Sequence, residues 1–146
     1  MSVVQAPAPS DPGARASVLS TMQWTFHYTP SYTQIRALVV NRVPAHATVL
    51  VRCHGGGCPF AHRSMVLANM KRCGTKTSGI CSTHGSFDLT SGFATRRLAI
   101  GTQITVVISR PNWVGKYYAF TVRAHRGPRI RIACLAPGGT HPGQGC

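Results

Sequence analysis

Segments in which hydrophobic and polar residues alternate begin at Ser20 and recur along the chain. In TMQWTFHY, residues Met22, Trp24, Phe26 and Tyr28 alternate with polar neighbours. Alternation with a period of two is typical of a β-strand that buries one face. This segment is therefore predicted to be the first strand of the domain, with its large side chains toward the core.

Two more alternating segments precede the first cysteine pair. QIRALVV predicts a strand with Ile35, Ala37 and Val39 on one face and Leu38 on the other, and NRVP, at 41–44, predicts the turn after it. The residues that share one face of the next predicted strand, ATVLVRC, are Val49, Val51 and Cys53.

The C-terminal third contains the clearest strand patterns. SFDL, at 86–89, predicts a short strand, and QITVVIS, KYYAFTVRA and RIRIACL each alternate along their length. The segment 63–70 is compatible with a strand or a helical turn, and 92–98 with a loop or a short helical turn. The residues that share one face of the three long segments are Ile104, Val106, Ile108, Tyr118, Phe120, Val122, Ile130, Ile132 and Cys134.

These patterns favour an all-β fold, with about seven strands and turns roughly every 8–12 residues. We predict an immunoglobulin-like antiparallel β-sandwich with disulfide-stapled loops. The inter-sheet disulfide beside a buried tryptophan that marks antibody domains is not expected, because the cysteines stand at predicted strand ends.

The beginning of the chain differs in composition from the rest. Residues 1–18 are rich in Pro, Ala and Ser and predict an N-terminal arm, whereas residues 19–146 predict a single β-sandwich domain large enough for its own core. No apolar segment is long enough to span a bilayer, so no integral membrane segment is predicted. No secretory signal peptide is recognisable, which favours a mature or trimmed product.

The charge is strongly unbalanced. Sixteen Lys and Arg residues face two acidic residues, Asp11 and Asp88, which gives a formal net charge of +14. Most basic side chains therefore have no carboxylate partner, and the positive field attracts anions. The partner that this predicts is an acidic cell-envelope polymer or another polyanion, and no cofactor is predicted.

Six cysteines in a short chain favour an oxidising compartment, and hence a secreted or cell-surface protein. Six cysteines permit 15 connectivities. We predict sequence-local pairing, because the intervals between neighbouring cysteines are rich in Gly, Ser, Thr or Pro. The predicted disulfides are Cys53–Cys58, Cys73–Cys81 and Cys134–Cys146.

Three segments carry a resemblance to a known family: VRCHGGGCPF, LAIGTQITVVISRPNWVGKYYAFTVR and RIACLAPGGTHPGQGC. Together they resemble a recurrent basic domain of secreted actinobacterial proteins, of the RCxGxGCPF … CLxPG…C type. The resemblance covers most of residues 20–146. It implies an extracellular β-sandwich and does not imply an activity.

The segment VRCHGGGCPFAH also suggests a metal site, because His54 and His62 flank the Cys53–Cys58 pair. Zinc knuckles require a second pair at similar spacing, and the Cys73–Cys81 interval is too wide. A phosphate cradle would require a following helix, and a redox site a CxxC spacing. We therefore predict a disulfide-closed loop and no metal, with His54 and His62 as the residues to test if a metal is found.

Catalysis is not predicted, because acid–base chemistry commonly needs paired carboxylates or a histidine oriented by one. One weak candidate is Asp88 orienting His84, with Ser86 or Ser82 as the nucleophile. A structural contact between Asp88 and an arginine explains the same residue more simply.

A basic stripe on the last hairpin is the best candidate binding surface. Arg129 and Arg131 are predicted to project from one sheet face. A solvated edge that discourages strand pairing, and a Trp113 that caps the end of the sandwich, are the structural alternatives. Aromatic and basic residues together suit a sugar polymer or single-stranded nucleic acid. The predicted anion-binding residues are Arg123, Arg126, Arg129, Arg131, Lys116 and Arg110, and the predicted aromatic contacts are Trp113 and Tyr117.

The sequence thus predicts a non-catalytic secreted or cell-surface module that is structural or binds anionic polymers of the envelope. One alternative is a subunit of an extracellular fibre, or another homo-oligomer, that docks through its N-terminal arm. Another is a secreted toxin or hydrolase, which would require a pocket that gathers Asp88, a histidine and a serine.

Overall fold

The computed structural model describes residues 16–67 and 84–143, which contain nine strands and one short helix. The elements are β1 (Thr21–Tyr28), β2 (Tyr32–Pro44), β3 (Thr48–His54), β4 (His62–Val66), β5 (His84–Asp88), α1 (Thr90–Phe93), β6 (Leu98–Ala99), β7 (Gln103–Ser109), β8 (Gly115–Arg123) and β9 (Arg126–Leu135).

The strands form two antiparallel sheets that pack face to face. The four-stranded sheet has the order β1-β2-β5, with β6 also paired to β2, and the five-stranded sheet has the order β4-β3-β7-β8-β9. The arrangement β1-β2-β5 opposite β3-β7-β8 is the A-B-E and C-F-G order of immunoglobulin domains. The predicted all-β sandwich is therefore confirmed, and it contains more strands than the pattern indicated.

The core lies between the sheets and is aliphatic with an aromatic cluster at one side. Val49 and Val51 of β3 and Val106 of β7 are fully buried, as their alternation predicted. Trp24 of β1 contacts Phe120 of β8 edge to face, with ring centroids 5.3 Å apart. Each fully buried aliphatic side chain contributes about 1.5–3 kcal/mol to folding.

The prediction for β2 was wrong about which face is buried. Thr25 pairs with Ala37, but the next pair is Phe26 with Ile35, so Arg36 has no partner and forms a bulge. The bulge shifts the alternation by one residue. Leu38, predicted to lie opposite Ile35, is therefore fully buried with it, whereas Ala37 is half-buried.

The predicted turn at 41–44 was also wrong, because β2 continues to Pro44. A second irregularity lies between Val40 and Val43, where Arg42 has a φ of 59° and Val43 returns to the core. The hydroxyl of Ser20 donates to the Arg42 carbonyl oxygen at 2.9 Å. This bond keeps the irregular backbone joined to the start of β1.

Two residues with predicted core positions are instead largely exposed because of where they stand in the sheets. Ile132 is 44% exposed on the edge strand β9, and Tyr28 is 50% exposed at the end of β1. The uncertain segment at 63–70 begins as the edge strand β4.

The part of the chain that the structure describes contains no helix with the length and hydropathy of a membrane span.

Packing begins inside the predicted arm. Ser17 forms a parallel bridge with Val114, and Val18 is buried in the core. The carbonyl oxygen of Ser20 accepts hydrogen bonds from Lys116 Nζ at 3.1 Å and from the Tyr118 hydroxyl at 3.4 Å. The ordered packing therefore starts at least two residues before the predicted boundary at residue 19.

Candidate functional site

A cleft of about 540 Å³ lies on the outer face of the five-stranded sheet, the face turned away from the core. Its floor is a cross-strand row formed by Leu50 of β3, Val107 of β7 and Tyr117 of β8. All three are half-buried. An outward sheet face in a soluble domain usually carries polar side chains, so an apolar floor here marks a candidate ligand site.

The neighbouring row places two arginines on either side of two small residues. Arg52 pairs with Thr105, Thr105 with Ala119, and Ala119 with Arg131. Three strand spacings put the two arginine Cα atoms about 14 Å apart. The Arg131 guanidinium carbon lies 5.9 Å from the centroid of the Tyr117 ring, so this arginine is close to the cleft floor.

The next row continues the polar side of the same face. His54 pairs with Gln103, and Thr121 pairs with both Gln103 and Arg129. Arg129 and Arg131 occupy alternate positions of β9 and therefore share this outer face. Arg52, Arg129 and Arg131 therefore share this face with His54.

The segment that follows β9 forms the remaining wall of the cleft, through Gly139, Thr140 and Pro142. The Gly143 N–H donates to the Cys134 carbonyl oxygen at 2.7 Å, which turns the segment back toward β9. Cys134 is in a disulfide, and its predicted partner, Cys146, lies outside the described residues. The segment that forms this wall thus comes shortly after Cys134, a disulfide-bonded residue.

Several polar side chains at the cleft are available to a ligand. Gln103, Thr105 and Ser109 line it, and none of them makes a side-chain hydrogen bond within residues 16–67 and 84–143. Arg52, which also lines the cleft, likewise has no ion pair or ring contact there. Such groups are hydrated in the free protein, and a ligand with matching donors and acceptors can replace that water.

The other predicted anion-binding residues have separate positions. Lys116 bonds to Ser20 and lies near the Tyr118 ring, on the core side of β8. Arg123 alternates with the buried Val122 and so points outward with Thr121, but its Nε donates to the Gly127 carbonyl oxygen at 3.0 Å within its own hairpin. Arg126 is exposed at the hairpin tip.

Trp113 and Arg110 form a separate unit at the β7–β8 connection. The Arg110 guanidinium carbon lies 4.3 Å from the Trp113 ring centroid, and Trp113 is half-buried against the core. This geometry matches the structural alternative in which Trp113 caps the sandwich. Tyr117 is therefore the predicted aromatic contact that reaches the cleft.

Two more arginines stack on aromatic rings. Arg63 lies 4.2 Å from the Phe60 ring centroid, and Arg97 lies 4.8 Å from that of Tyr32. A guanidinium over an aromatic face is attracted by the ring quadrupole. In a chain with two acidic residues, aromatic rings thus hold several of the cations.

The glycine-rich loop has a structural role in the described residues. Cys53 and Cys58 form the predicted disulfide, with Cα atoms 5.7 Å apart. A Cβ atom at Gly57 would lie 2.2 Å from the Arg97 carbonyl oxygen. The loop therefore packs backbone to backbone against the segment around β6, and glycine is required for that approach as well as for a positive φ.

Metal ligands do not gather around this loop. His54 and His62 are both exposed, and both cysteines of the loop are in the disulfide. In the part of the chain that the structure describes, no group of three or more His, Cys, Asp or Glu side chains comes together.

Asp88 has a local structural role at the junction of β5 and α1. Its carboxylate accepts a hydrogen bond from the Thr90 N–H at 2.9 Å. Hydrogen bonds from the side chain and the backbone of Thr90 lower the pKa of Asp88 and outweigh the opposing effect of desolvation. The hypothesis that Asp88 acts with His84 and Ser82 involves Ser82 and a His84 side chain outside the described residues.

The predicted anion-binding residues did not include Arg52, Gln103 or Thr105. The alternation that puts Val51 and Cys53 on one face of the strand also puts Arg52 on the other face. The pairing of β3 with β7, and of β7 with β8, was needed to place these residues beside Tyr117 and Arg131.

No protein-family model, curated protein or solved structure that was compared with the chain matches it. The resemblance to secreted actinobacterial domains stays a prediction from three motifs, and the functional inference depends on geometry and charge.

Proposed function

We propose that the protein is a non-catalytic, extracellular or cell-surface module that binds acidic polymers of the cell envelope through the outer face of its five-stranded sheet. The observation that carries the proposal is the placement of Arg52, Arg129 and Arg131 on one face. Asp88, the one acidic residue in the described part of the chain, belongs to β5 in the other sheet.

The electrostatic reason is that these cations repel one another and have no carboxylate on their own face. A linear polyanion bound along this face relieves that repulsion at several positions at once. Binding also releases the counterions condensed on the polymer, so the affinity depends steeply on salt. Extracellular location is supported by the Cys53–Cys58 disulfide, since such bonds persist in oxidising compartments.

The test is the affinity for heparin, a soluble polyanion, at several salt concentrations. The triple variant Arg52→Gln, Arg129→Gln, Arg131→Gln should bind at least about tenfold more weakly, with a flatter dependence of log K on log[salt]. A control triple variant with the same loss of charge replaces exposed arginines elsewhere: Arg36→Gln, Arg42→Gln, Arg96→Gln.

The control variant should lose far less affinity than the outer-face variant. Equal losses in the two variants would contradict a dedicated face and leave a diffuse charge effect. Binding that is insensitive to salt would contradict the electrostatic mechanism.

A second function, assembly through the N-terminal arm, is favoured by the parallel bridge between Ser17 and Val114. In this pairing the end of the arm lies parallel to the backbone just before β8 of its own chain, which is the type of backbone contact that β-augmentation uses between chains. Because Val18 is buried, a test truncation should remove only residues 1–15. Loss of an oligomer in light scattering would support assembly, and an unchanged mass would exclude it.

A further inference from the structure

We infer that the cleft on the outer face binds one acidic sugar unit of the polymer, a pyranose ring that bears a carboxylate or sulfate group. The inference depends on the proposed function and adds a ligand class to it. A charged face alone attracts any polyanion, whereas the cleft offers a place for a ring with polar substituents.

The floor of the cleft suits the apolar face of a sugar ring. The half-buried Tyr117 ring, with Leu50 and Val107 beside it, presents a continuous apolar surface. A pyranose ring has a C–H face that can pack on such a surface and so remove it from water.

The polar groups of the cleft suit the edge of the same ring. Gln103, Thr105 and Ser109 make no side-chain hydrogen bonds within the described residues, and all three line the cleft. Sugar hydroxyl groups both donate and accept, as do these amide and hydroxyl side chains. A ligand with several hydroxyl groups therefore matches the site better than a ligand with one polar end.

The acidic substituent has two candidate partners on the polar side of the cleft. Arg52 lines the cleft from β3, and the Arg131 guanidinium carbon lies 5.9 Å from the Tyr117 ring centroid, beside the cleft floor. A guanidinium group binds a carboxylate or sulfate through two parallel hydrogen bonds, which fixes orientation as well as charge.

The size of the cleft is compatible with this ligand. Its volume of about 540 Å³ falls within the range of small-molecule sites, and the C-terminal segment gives it a second wall. Single-stranded nucleic acid is less well matched, because base-stacking grooves usually present aromatic side chains in series. Among the residues that line this cleft, Tyr117 is the one Phe, Tyr or Trp side chain.

The experiment compares three anionic probes: polygalacturonate, which has acidic sugar rings; inorganic polyphosphate, which has no rings; and oligo-deoxythymidine. The variants are Tyr117→Leu, which keeps an apolar floor without a ring, Tyr117→Phe, which keeps the ring, and Thr105→Val, which removes a hydroxyl at constant shape. Tyr28→Leu is the control, since Tyr28 is exposed on the other sheet.

We expect Tyr117→Leu and Thr105→Val to weaken polygalacturonate binding by about tenfold or more and to change polyphosphate binding by less than about twofold. Tyr28→Leu should bind polygalacturonate as the unsubstituted protein does, and Tyr117→Phe, which keeps the ring, should retain more of this binding than Tyr117→Leu. Melting curves of each variant check that the fold is retained.

Equal weakening of polygalacturonate and polyphosphate binding by Tyr117→Leu, or no weakening of either, would overturn the inference. The proposed function would still stand if the arginine triple variant lost binding to both. Tighter, Tyr117-dependent binding of oligo-deoxythymidine would overturn the inference and would favour nucleic acid over an envelope polymer as the partner. If the unsubstituted protein bound none of the three probes, both the inference and the proposed function would be wrong.

Discussion

Position 57 requires glycine for two separate reasons, a left-handed backbone conformation and a close approach to another segment. Its φ is 91°, and an added Cβ would lie 2.2 Å from the Arg97 carbonyl oxygen. Gly101 has the same φ of 91°, but nothing lies within 4 Å of the position of its Cβ. The pair therefore separates conformational strain from steric overlap.

We expect Gly101→Ala to lower the free energy of unfolding by about 1 kcal/mol, the cost of a left-handed alanine. Gly57→Ala should cost at least about 2 kcal/mol more, because the Arg97 backbone must also move. Urea unfolding at equilibrium measures both values. Equal losses in the two variants would show that the contact with Arg97 carries no free energy.

Tyr118 links stability to alkaline pH. Burial raises the pKa of its hydroxyl, because the phenolate would lose hydration in the core. Above about pH 10 the unfolded chain releases this proton while the folded chain retains it. Stability is therefore complete below the unfolded pKa and falls as pH rises toward the folded pKa.

Tyr118→Phe should flatten the loss of stability between about pH 9 and 11, measured as Tm against pH. Lys116 still donates to the Ser20 carbonyl oxygen in this variant, so that buried acceptor keeps a partner. Tyr28→Phe, at an exposed position, is the control. An identical slope in Tyr118→Phe and the unsubstituted protein would contradict this role.

At the scale of elements, the junction of β2 with α1 shows how backbone N–H and C=O groups find hydrogen-bond partners where a strand has no neighbouring strand. The Leu38 N–H donates to the Thr90 hydroxyl at 2.9 Å, and the Leu89 N–H donates to the Leu38 carbonyl oxygen at 2.8 Å. These bonds take the place of strand-to-strand hydrogen bonds on β2, between the part that pairs with β5 and the part that pairs with β6. Thr90 is thus a side-chain substitute for a backbone partner.

Thr90→Val should cost about 1–3 kcal/mol of stability, because it keeps the shape and leaves the Leu38 N–H without an acceptor. It also removes the hydroxyl that bonds to Asp88. Thr90→Ser keeps the hydroxyl and should lose less than about 1 kcal/mol. Chemical denaturation compares the two variants, and similar losses would indicate that methyl packing dominates.

Over the whole molecule, charge opposes folding more than in an ordinary domain. The net charge of +14 is carried by a chain of 146 residues, and several cations lie on rings or carbonyl oxygens in place of carboxylates. The Debye length is about 30 Å at 0.01 M salt and about 8 Å at 0.15 M. Repulsion across the domain is therefore strong at low salt and largely screened at physiological salt.

We expect the Tm to rise by several degrees when NaCl is increased from about 0.01 M to 0.15 M, since screening relieves repulsion in the compact state. Scanning calorimetry at fixed pH measures the shift. The outer-face arginine triple variant, with three fewer charges, should show a smaller rise. A Tm that falls with salt would show that attractive pairs dominate instead.

Alternation predicted β3, β7, β8 and β9 of the five-stranded sheet because each turns alternate residues toward the core, whereas the segment 63–70, which contains most of β4, was compatible with a strand or a helical turn. Alternation gave the wrong face in β2, where the unpaired Arg36 shifts the period. A bulge is a mismatch between two strands, so one strand's pattern does not contain it. The exposure of Ile132 likewise follows from the edge position of β9, which its own sequence does not record.

The sequence by itself determined the all-β class, the charge, the Cys53–Cys58 loop and the shared face of Arg129 and Arg131, because these depend on composition or on neighbours along the chain. Tertiary structure alone placed Arg52 and Arg131 at the two ends of one cross-strand row and Tyr117 at the floor of a cleft. The physical reason is that strand order and register join residues far apart in sequence. Local periodicity specifies which way a side chain points, and pairing decides what lies beside it.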